Sequence, residues 1–228
     1  MDAQKQAVGR AAVSHVQDGM KLGLGTGSTA KYFVIAVAEA VKAGMKLTLV
    51  STSAQTTQLA EGLGLEIRDI NDVGELDLCV DGADEIGPGL TLIKGGGGAL
   101  LREKLIWEQA RSCLVIADAA KHVKALGKFA LPIEVEPFAY KGTLNRISDV
   151  LAEFDIAMLP RMRKSGDAPF LSDGGNFIFD VACGVIGDPV GLAHALKGTT
   201  GVIEHGLFLD LADEALIATA EGVLSLYP

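Results

Sequence analysis

The chain has 228 residues, 49% of them hydrophobic, with 28 glycines and a formal net charge of −9. That composition supports a sizeable core, and the acidic balance without any basic stripe argues against a nucleic-acid partner. The three cysteines (Cys79, Cys113, Cys183) and four histidines (His15, His122, His194, His205) show no paired spacing, which argues against a disulfide framework or a metal centre. No apolar run approaches the ~18 residues of a membrane span, and no basic-then-apolar leader is visible, so a cytoplasmic protein is expected.

In chain order, residues 2–17 place Ala3, Ala7, Val8, Ala11, Ala12, His15 and Val16 at helical spacing, with His15 on the apolar face. Met20–Leu24 reads as a strand, Gly25-Thr26-Gly27-Ser28-Thr29 as a turn, and Ala30–Ala43 as a helix. Leu47–Val50, Ala54–Glu61 and Leu65–Ile67 repeat the strand and helix alternation. Leu76–Val80 and Leu90–Ile93 are two further apolar runs, the second leading through Lys94 and Gly95–Gly98 into a helix that extends to about Arg111. Cys113–Ala117 is a strand ending in Asp118-Ala119-Ala120-Lys121. This alternation predicts an α/β fold with a mostly parallel sheet, whose C-terminal strand ends share one edge.

From about Phe129 the prolines multiply and the elements shorten. Leu131–Val135, Asp155–Met158 and Gly201–His205 read as strands, Thr143–Phe154 and Pro189–Lys197 as helices, and Arg161–Asp167 as an exposed turn. Phe170-Leu171 and Asn176–Val181 resemble a hairpin. The expected organisation is therefore a Rossmann-like, mostly parallel sheet domain (1–129 plus 207–228) and a second, smaller α+β domain (130–206). Leu216–Ala218 and Val223–Leu226 are short strands whose parent sheet periodicity does not assign.

Three stretches carry chemistry. Gly25–Thr29 suits an anion cradle, because glycines let backbone N–H groups approach a phosphate and the helix N-terminus favours negative charge. A purely structural turn remains an alternative. Dinucleotide binding fits poorly, since Ser28 stands where a third glycine belongs and Ser51-Thr52-Ser53 offers no acid for a ribose diol. Asp81 and Asp84 flank Gly82-Ala83 after a buried run; each could be a cap or a ligand. Lys94 precedes four glycines, unlike the lysine of a nucleotide P-loop. Glu103 follows a turn later and reads either as a base tuned by neighbouring charges or as an exposed partner of Lys104 or Arg111. Lys121 could add a positive charge at the same edge. Trp107 and the Tyr32–Val37 cluster read as core.

In this order the segments Gly25–Ala30, Asp81–Ile86, Lys94–Leu100, Arg102-Glu103-Lys104 and Ala117–Lys121 resemble the type A ribose-5-phosphate isomerase family. Leu126–Phe129, Leu131–Val135 and Gly206-Leu207-Phe208 extend the likeness over nearly the whole chain. Ser172-Asp173-Gly174-Gly175-Asn176 departs from the family's Ser-Asp-Asn-Gly-Asn, and residues 141–168 match only loosely.

The resemblance implies interconversion of D-ribose 5-phosphate and D-ribulose 5-phosphate in the non-oxidative pentose phosphate pathway, with no metal or organic cofactor. It implies Glu103 as the base, with Asp81, Asp84 and Lys94 also catalytic. Substrate contacts would come from Thr26, Gly27, Ser28, Thr29, Asp81, Gly82, Ala83, Asp84, Lys94, Gly95, Gly96, Gly97 and Lys121. Lys5 lies near a position where the family carries a lysine and receives no role. The family assembles as dimers or tetramers, so a homo-oligomer acting on a small sugar phosphate is expected. A non-catalytic sugar-phosphate sensor would need the anion loop but neither Glu103 nor Lys94, and a nicotinamide oxidoreductase would need cofactor affinity.

Overall fold

A computed structural model describes residues 2–228, which divide into two compact units. Of the described residues, the first comprises 2–83, 102–122 and 210–228, and the second 84–101 and 123–209. The division cuts the chain between Ala83 and Asp84 and again between Leu101 and Arg102, so Asp84–Leu101 groups with the second unit rather than with the sheet before it.

The first unit is built on a six-stranded sheet in the order Val223–Leu226, Glu214–Ala218, Cys113–Asp118, Leu78–Gly82, Lys21–Leu24, Thr48–Ser51. All neighbours pair in parallel except Val223–Leu226, which runs antiparallel along the edge. The final two strands thus find their parent sheet here. Their local pattern conceals it, because Val223–Leu226 is largely exposed and shows no buried face.

Helix Asp2–Ala12 precedes the first strand, and helices Ala30–Lys42 and Ala54–Gly62 lie in the connections between strands. The first two approach closely because residue 9 is glycine: a Cβ there would lie 2.8 Å from the Phe33 backbone nitrogen. Val8, Phe33, Val34, Val37, Leu22 and Val80 are buried in the resulting core, each contributing about 1.5–3 kcal/mol by leaving water. Trp107 is 1% exposed, in keeping with its core assignment. His15 sits in a short 3-10 turn after the first helix, half-buried, with Nε2 3.2 Å from Glu214.

Leu65–Ile67 does not form the expected strand. Gly64 adopts φ +84°, Leu65 N–H still bonds Ala60 as part of the helix end, and only Ile67 bridges to Leu49. The next segment instead forms a short helix, Ile70–Val73, capped by the Asp69 carboxylate on the Asn71 N–H.

The second unit contains a four-stranded antiparallel sheet in the order Val202–His205, Leu131–Val135, Phe177–Val181, Arg161–Met162. Helices Tyr140–Glu153 and Pro189–Lys197 belong to it, with Ile133, Val135, Ile147, Phe179 and Leu192 in the core. A smaller three-stranded sheet joins Glu85–Ile86, Leu92–Ile93 and Leu207–Phe208, all antiparallel.

This small sheet corrects the expectation that Leu90–Ile93 is a parallel strand delivering Lys94 to the main sheet edge. Pro88–Leu90 is a 3-10 turn with Gly89 at φ +63° and Leu90 at φ +52°, conformations no strand accepts. Asp155–Met158 is likewise not a strand, since Asp155 has φ +59°. The charged stretch Arg161–Asp167 is more ordered than a solvated turn: Arg161–Met162 pairs with Phe177–Val181, and Lys164–Ser165 pairs with Ala168–Pro169.

Candidate active site

Within the first unit, the parallel strands end together. Register places Leu24 beside Ser51 and Val80, Gly82 beside Ile116, and Asp118 beside Ala218. The edge therefore gathers Gly25–Thr29, Thr52-Ser53, Asp81-Gly82 and the 3-10 turn Ala119–Lys121, whose Ala120 N–H is capped by the Asp118 carboxylate.

Asp81 is fully buried, and its Oδ1 accepts the Thr26 N–H at 2.9 Å and the Gly82 N–H at 2.7 Å. Two backbone donors on one carboxylate oxygen fix its orientation. Gly25 makes this possible: a Cβ there would sit 2.3 Å from both Cγ and Oδ1 of Asp81. The glycine whose pattern suggests a phosphate cradle thus makes room for a carboxylate. Gly23 has a similar duty, since its Cβ would meet Cys79 Sγ at 2.8 Å. Gly27, at φ +112° with open space around it, is the residue that lets the loop turn.

The side chains of the loop divide. Thr26 is buried, and its hydroxyl lies 2.7 Å from both Thr52 Oγ1 and Ser53 Oγ and 3.1 Å from Thr56 Oγ1, a cluster that braces the turn. Ser28 is exposed and accepts a hydrogen bond from Lys5 Nζ at 2.8 Å. Sequence gives Lys5 no role, because nothing in its local pattern separates it from any other helix-surface lysine. The structure puts its ammonium beside the loop.

Glu103 lies in the first turn of helix Leu100–Trp107 and is 4% exposed. An exposed pair with Lys104 or Arg111 is therefore not its role; the Arg111 guanidinium instead holds Glu75 at 2.5 Å and Asp77 at 3.5 Å. The helix direction sets the height of Glu103 on the sheet. Leu76, just before strand Leu78–Gly82, donates to the Gln109 carbonyl and accepts from the Arg111 N–H, so the helix ends at the strands' N-terminal edge. Ile106 packs over Gly23 in mid-strand, 3.1 Å from where a Cβ on that glycine would stand. Glu103, three residues earlier, stands about 4.5 Å closer to the edge that holds Asp81.

Within the second unit, Asp84 is half-buried, and its Oδ2 accepts the Gly96 N–H at 2.7 Å while its own N–H bonds the Ile93 carbonyl. Gly96 must lack a side chain, because a Cβ would come 2.7 Å from Asp84 Oδ1. Gly95 and Gly98 adopt φ +99° and +82°, and Gly98 N–H closes the turn on the Gly95 carbonyl. Gly97 is exposed at the tip. Lys94 is 2% exposed, its N–H bonded to the Gly206 carbonyl and its ammonium 5.5 Å from the Phe208 ring centroid, a cation–π arrangement.

Behind this loop, Glu85 is buried and accepts the Gly127 and Phe129 N–H groups at 2.7 and 2.6 Å, tying Leu126–Phe129 to the small sheet. Among the described residues no three His, Cys, Asp or Glu side chains group as a metal site, and no helix is long and apolar enough to cross a membrane. None of the three cysteines is in a disulfide, and burial pushes the Cys183 thiol up to about 11.

Comparison with known proteins places these features in a family. Residues 48–222 match the family model for ribose 5-phosphate isomerase A (phosphoriboisomerase A). The chain is 56% identical to ribose-5-phosphate isomerase A of Caulobacter sp. (strain K31), over 100% of this chain and 99% of the relative. It is 47% identical to that of Agrobacterium fabrum (strain C58), over 97% of each chain. Ribose 5-phosphate isomerase from Plasmodium falciparum superposes with a TM-score of 0.94 at 35% identity, covering 100% of this chain and 99% of the other. A D-ribose-5-phosphate isomerase in complex with phospho-erythronic acid gives 0.92 at 38% identity, covering 99% and 98%. With the sheet, the Asp-Gly-Ala-Asp turn, the glycine loop and full-length likeness all agreeing, the chain belongs to the ribose 5-phosphate isomerase A family.

Proposed function

We propose that this chain interconverts D-ribose 5-phosphate and D-ribulose 5-phosphate through an enediol, with Glu103 as base. The observation that carries the reading is the full-length match, in sequence and fold, to isomerases of this substrate. One of those relatives is described with phospho-erythronic acid. An aldonic acid phosphate carries two oxygens on a planar carbon, the shape an enediolate presents at C1 and C2.

In this reading Glu103 takes the proton from C2 of the open-chain aldose. The freed electron pair forms the C1–C2 double bond, and the carbonyl pair moves onto O1. Lys94 stabilises that developing oxyanion; a charge already in place there is worth several kcal/mol because no reorganisation is needed during the step. Asp81 and Asp84 hold sugar hydroxyls and relay a proton from O2 to O1. Collapse of the C2–O2 bond to a carbonyl then lets C1 recover the proton from Glu103, so the atoms balance without any redox partner. Thr26, Gly27, Ser28, Thr29 and Lys121 anchor the phosphate or hydroxyls, with Gly82, Ala83, Gly95, Gly96 and Gly97 lining the sugar.

Asp81 and Glu103 belong to the first unit, Asp84 and Lys94 to the second. The protein acts in the cytoplasm as a homo-oligomer, a dimer or tetramer, without metal or organic cofactor and without nucleic-acid or membrane partners; its net charge of −9 argues against nucleic acid. The deciding assay mixes the protein with ribose 5-phosphate and EDTA and follows ketose formation. Turnover unchanged by EDTA is expected. Absence of ketose, or activity lost with EDTA and restored by a divalent ion, overturns the assignment or its metal-free form respectively.

A further inference from the structure

The sequence reads Arg163 as part of a solvated turn, yet its side chain is only 15% exposed. Its guanidinium makes a two-pronged contact with Asp180, Nε to Oδ2 at 2.9 Å and Nη2 to Oδ1 at 2.5 Å. The remaining nitrogen, Nη1, donates to the carbonyls of Gly95 at 2.9 Å and Gly96 at 3.1 Å. Its backbone is fixed as well, with Arg163 N–H on the Ile178 carbonyl and Phe170 N–H on its own carbonyl. The guanidinium carbon lies 5.8 Å from the Phe170 ring centroid, and that ring packs where a Cβ on Gly98 would stand, 2.4 Å away.

The Gly95 carbonyl and the Gly96 N–H belong to one peptide plane, pointing in opposite directions as a trans unit requires. Arg163 grips the oxygen of that plane, and Asp84 accepts from its N–H at 2.7 Å. Both flanking residues are glycine, so rotating this peptide meets little steric resistance, and backbone propensity alone does not keep the N–H aimed at Asp84. A fixed cation on the carbonyl side selects one orientation and strengthens the dipole that the carboxylate meets.

We propose that Arg163, itself oriented by Asp180, is a positioning residue that locks the Gly95–Gly96 peptide and thereby sets Asp84 and the glycine loop for catalysis. The role of Asp84 in turnover rests on the isomerase reading above; the locking of the peptide does not. Asp180 is the second member of the device, since without it the guanidinium would keep its charge but lose its aim.

The test uses the full chain carrying Arg163→Ala. Its kcat for ribose 5-phosphate falls about ten- to a hundredfold, the worth of a hydrogen bond to a charged group read as a rate, while KM changes less. Millimolar guanidinium chloride restores part of kcat, and sodium chloride at the same concentration does not. In an Asp84→Ala background the same substitution adds little further loss, because the two act through one peptide. Amide exchange supplies a readout independent of turnover: Gly96 exchanges faster in Arg163→Ala, while Val34 in the core of the first unit is unchanged. Wild-type kcat in Arg163→Ala, a loss that guanidinium does not relieve, or faster exchange at Val34 as well as Gly96 would each overturn the proposal. If the wild-type chain makes no ketose, the isomerase reading fails and the exchange comparison still decides the peptide lock.

Discussion

Replacing Gly25 by alanine tests how the buried carboxylate of Asp81 is held. The added methyl would stand 2.3 Å from Cγ and Oδ1 of Asp81 and 2.5 Å from its Cα. The last of these is backbone within a central strand, paired on both sides, so it cannot move aside cheaply. Overpacking of this kind costs about 1–3 kcal/mol. Displacing the carboxylate also loosens its bonds from the Thr26 and Gly82 N–H groups, each worth about 1.5–3 kcal/mol as a hydrogen bond to a charge. Partial loss of the two brings the total to about 3–5 kcal/mol, a fall in Tm of roughly 6–20 °C for a chain of this size. Calorimetry and ketose formation are measured on the same samples, with Gly19→Ala as control. Gly19 lies outside the site, meets nothing within 4 Å and carries only the penalty of φ +86°. Gly25→Ala is expected to lose stability and turnover together, and Asp81→Gly in that background to recover part of the Tm. A Gly25→Ala protein with wild-type Tm and wild-type kcat would refute the close-approach argument.

Three further outcomes are expected. Glu85→Ala strands the Gly127 and Phe129 N–H groups in a buried setting and should cost about 2–5 kcal/mol in urea denaturation. Lys5→Met removes the ammonium beside Ser28 and should raise KM for the sugar phosphate several-fold with a smaller change in kcat, read by steady-state kinetics. Burial holds the Cys183 thiol up at about 11 against an ordinary 9.0, so iodoacetamide should label it tens of times more slowly than a free thiol at pH 8, the rate climbing about tenfold per pH unit up to pH 10. The sign for stability follows: the raised folded value means this contribution is present below pH 9 and is lost as pH rises through about 11.

The parallel sheet is legible because its strands are apolar runs long enough to declare themselves, as with Cys113–Asp118, buried throughout. Glu85–Ile86, Leu92–Ile93 and Leu207–Phe208 have two residues each and no period to detect, so the small sheet that carries Asp84 and Lys94 is invisible to pattern reading. Tertiary contacts decide that region. The candidate residues stand out as a polar cluster near glycines, but the reasons for the glycines do not. Gly25 and Gly96 are glycine because Asp81 and Asp84 come within 3 Å of where a Cβ would be, which local sequence does not encode. Arg163 and Lys5 escape notice for one reason: a charged residue in a charged or helical stretch looks solvated until partners 67 or 23 positions away are known.

The central claim is that Glu103 moves the proton between C2 and C1, and Glu103→Gln tests it most directly. The substitution keeps the shape of the side chain in its buried position and removes the base. Turnover of ribose 5-phosphate should drop on the order of a thousandfold, the usual scale for losing a general base, while calorimetric binding of the sugar phosphate stays within a few-fold of the wild-type value. Glu103→Gln protein that produces ketose at the wild-type rate would contradict the account.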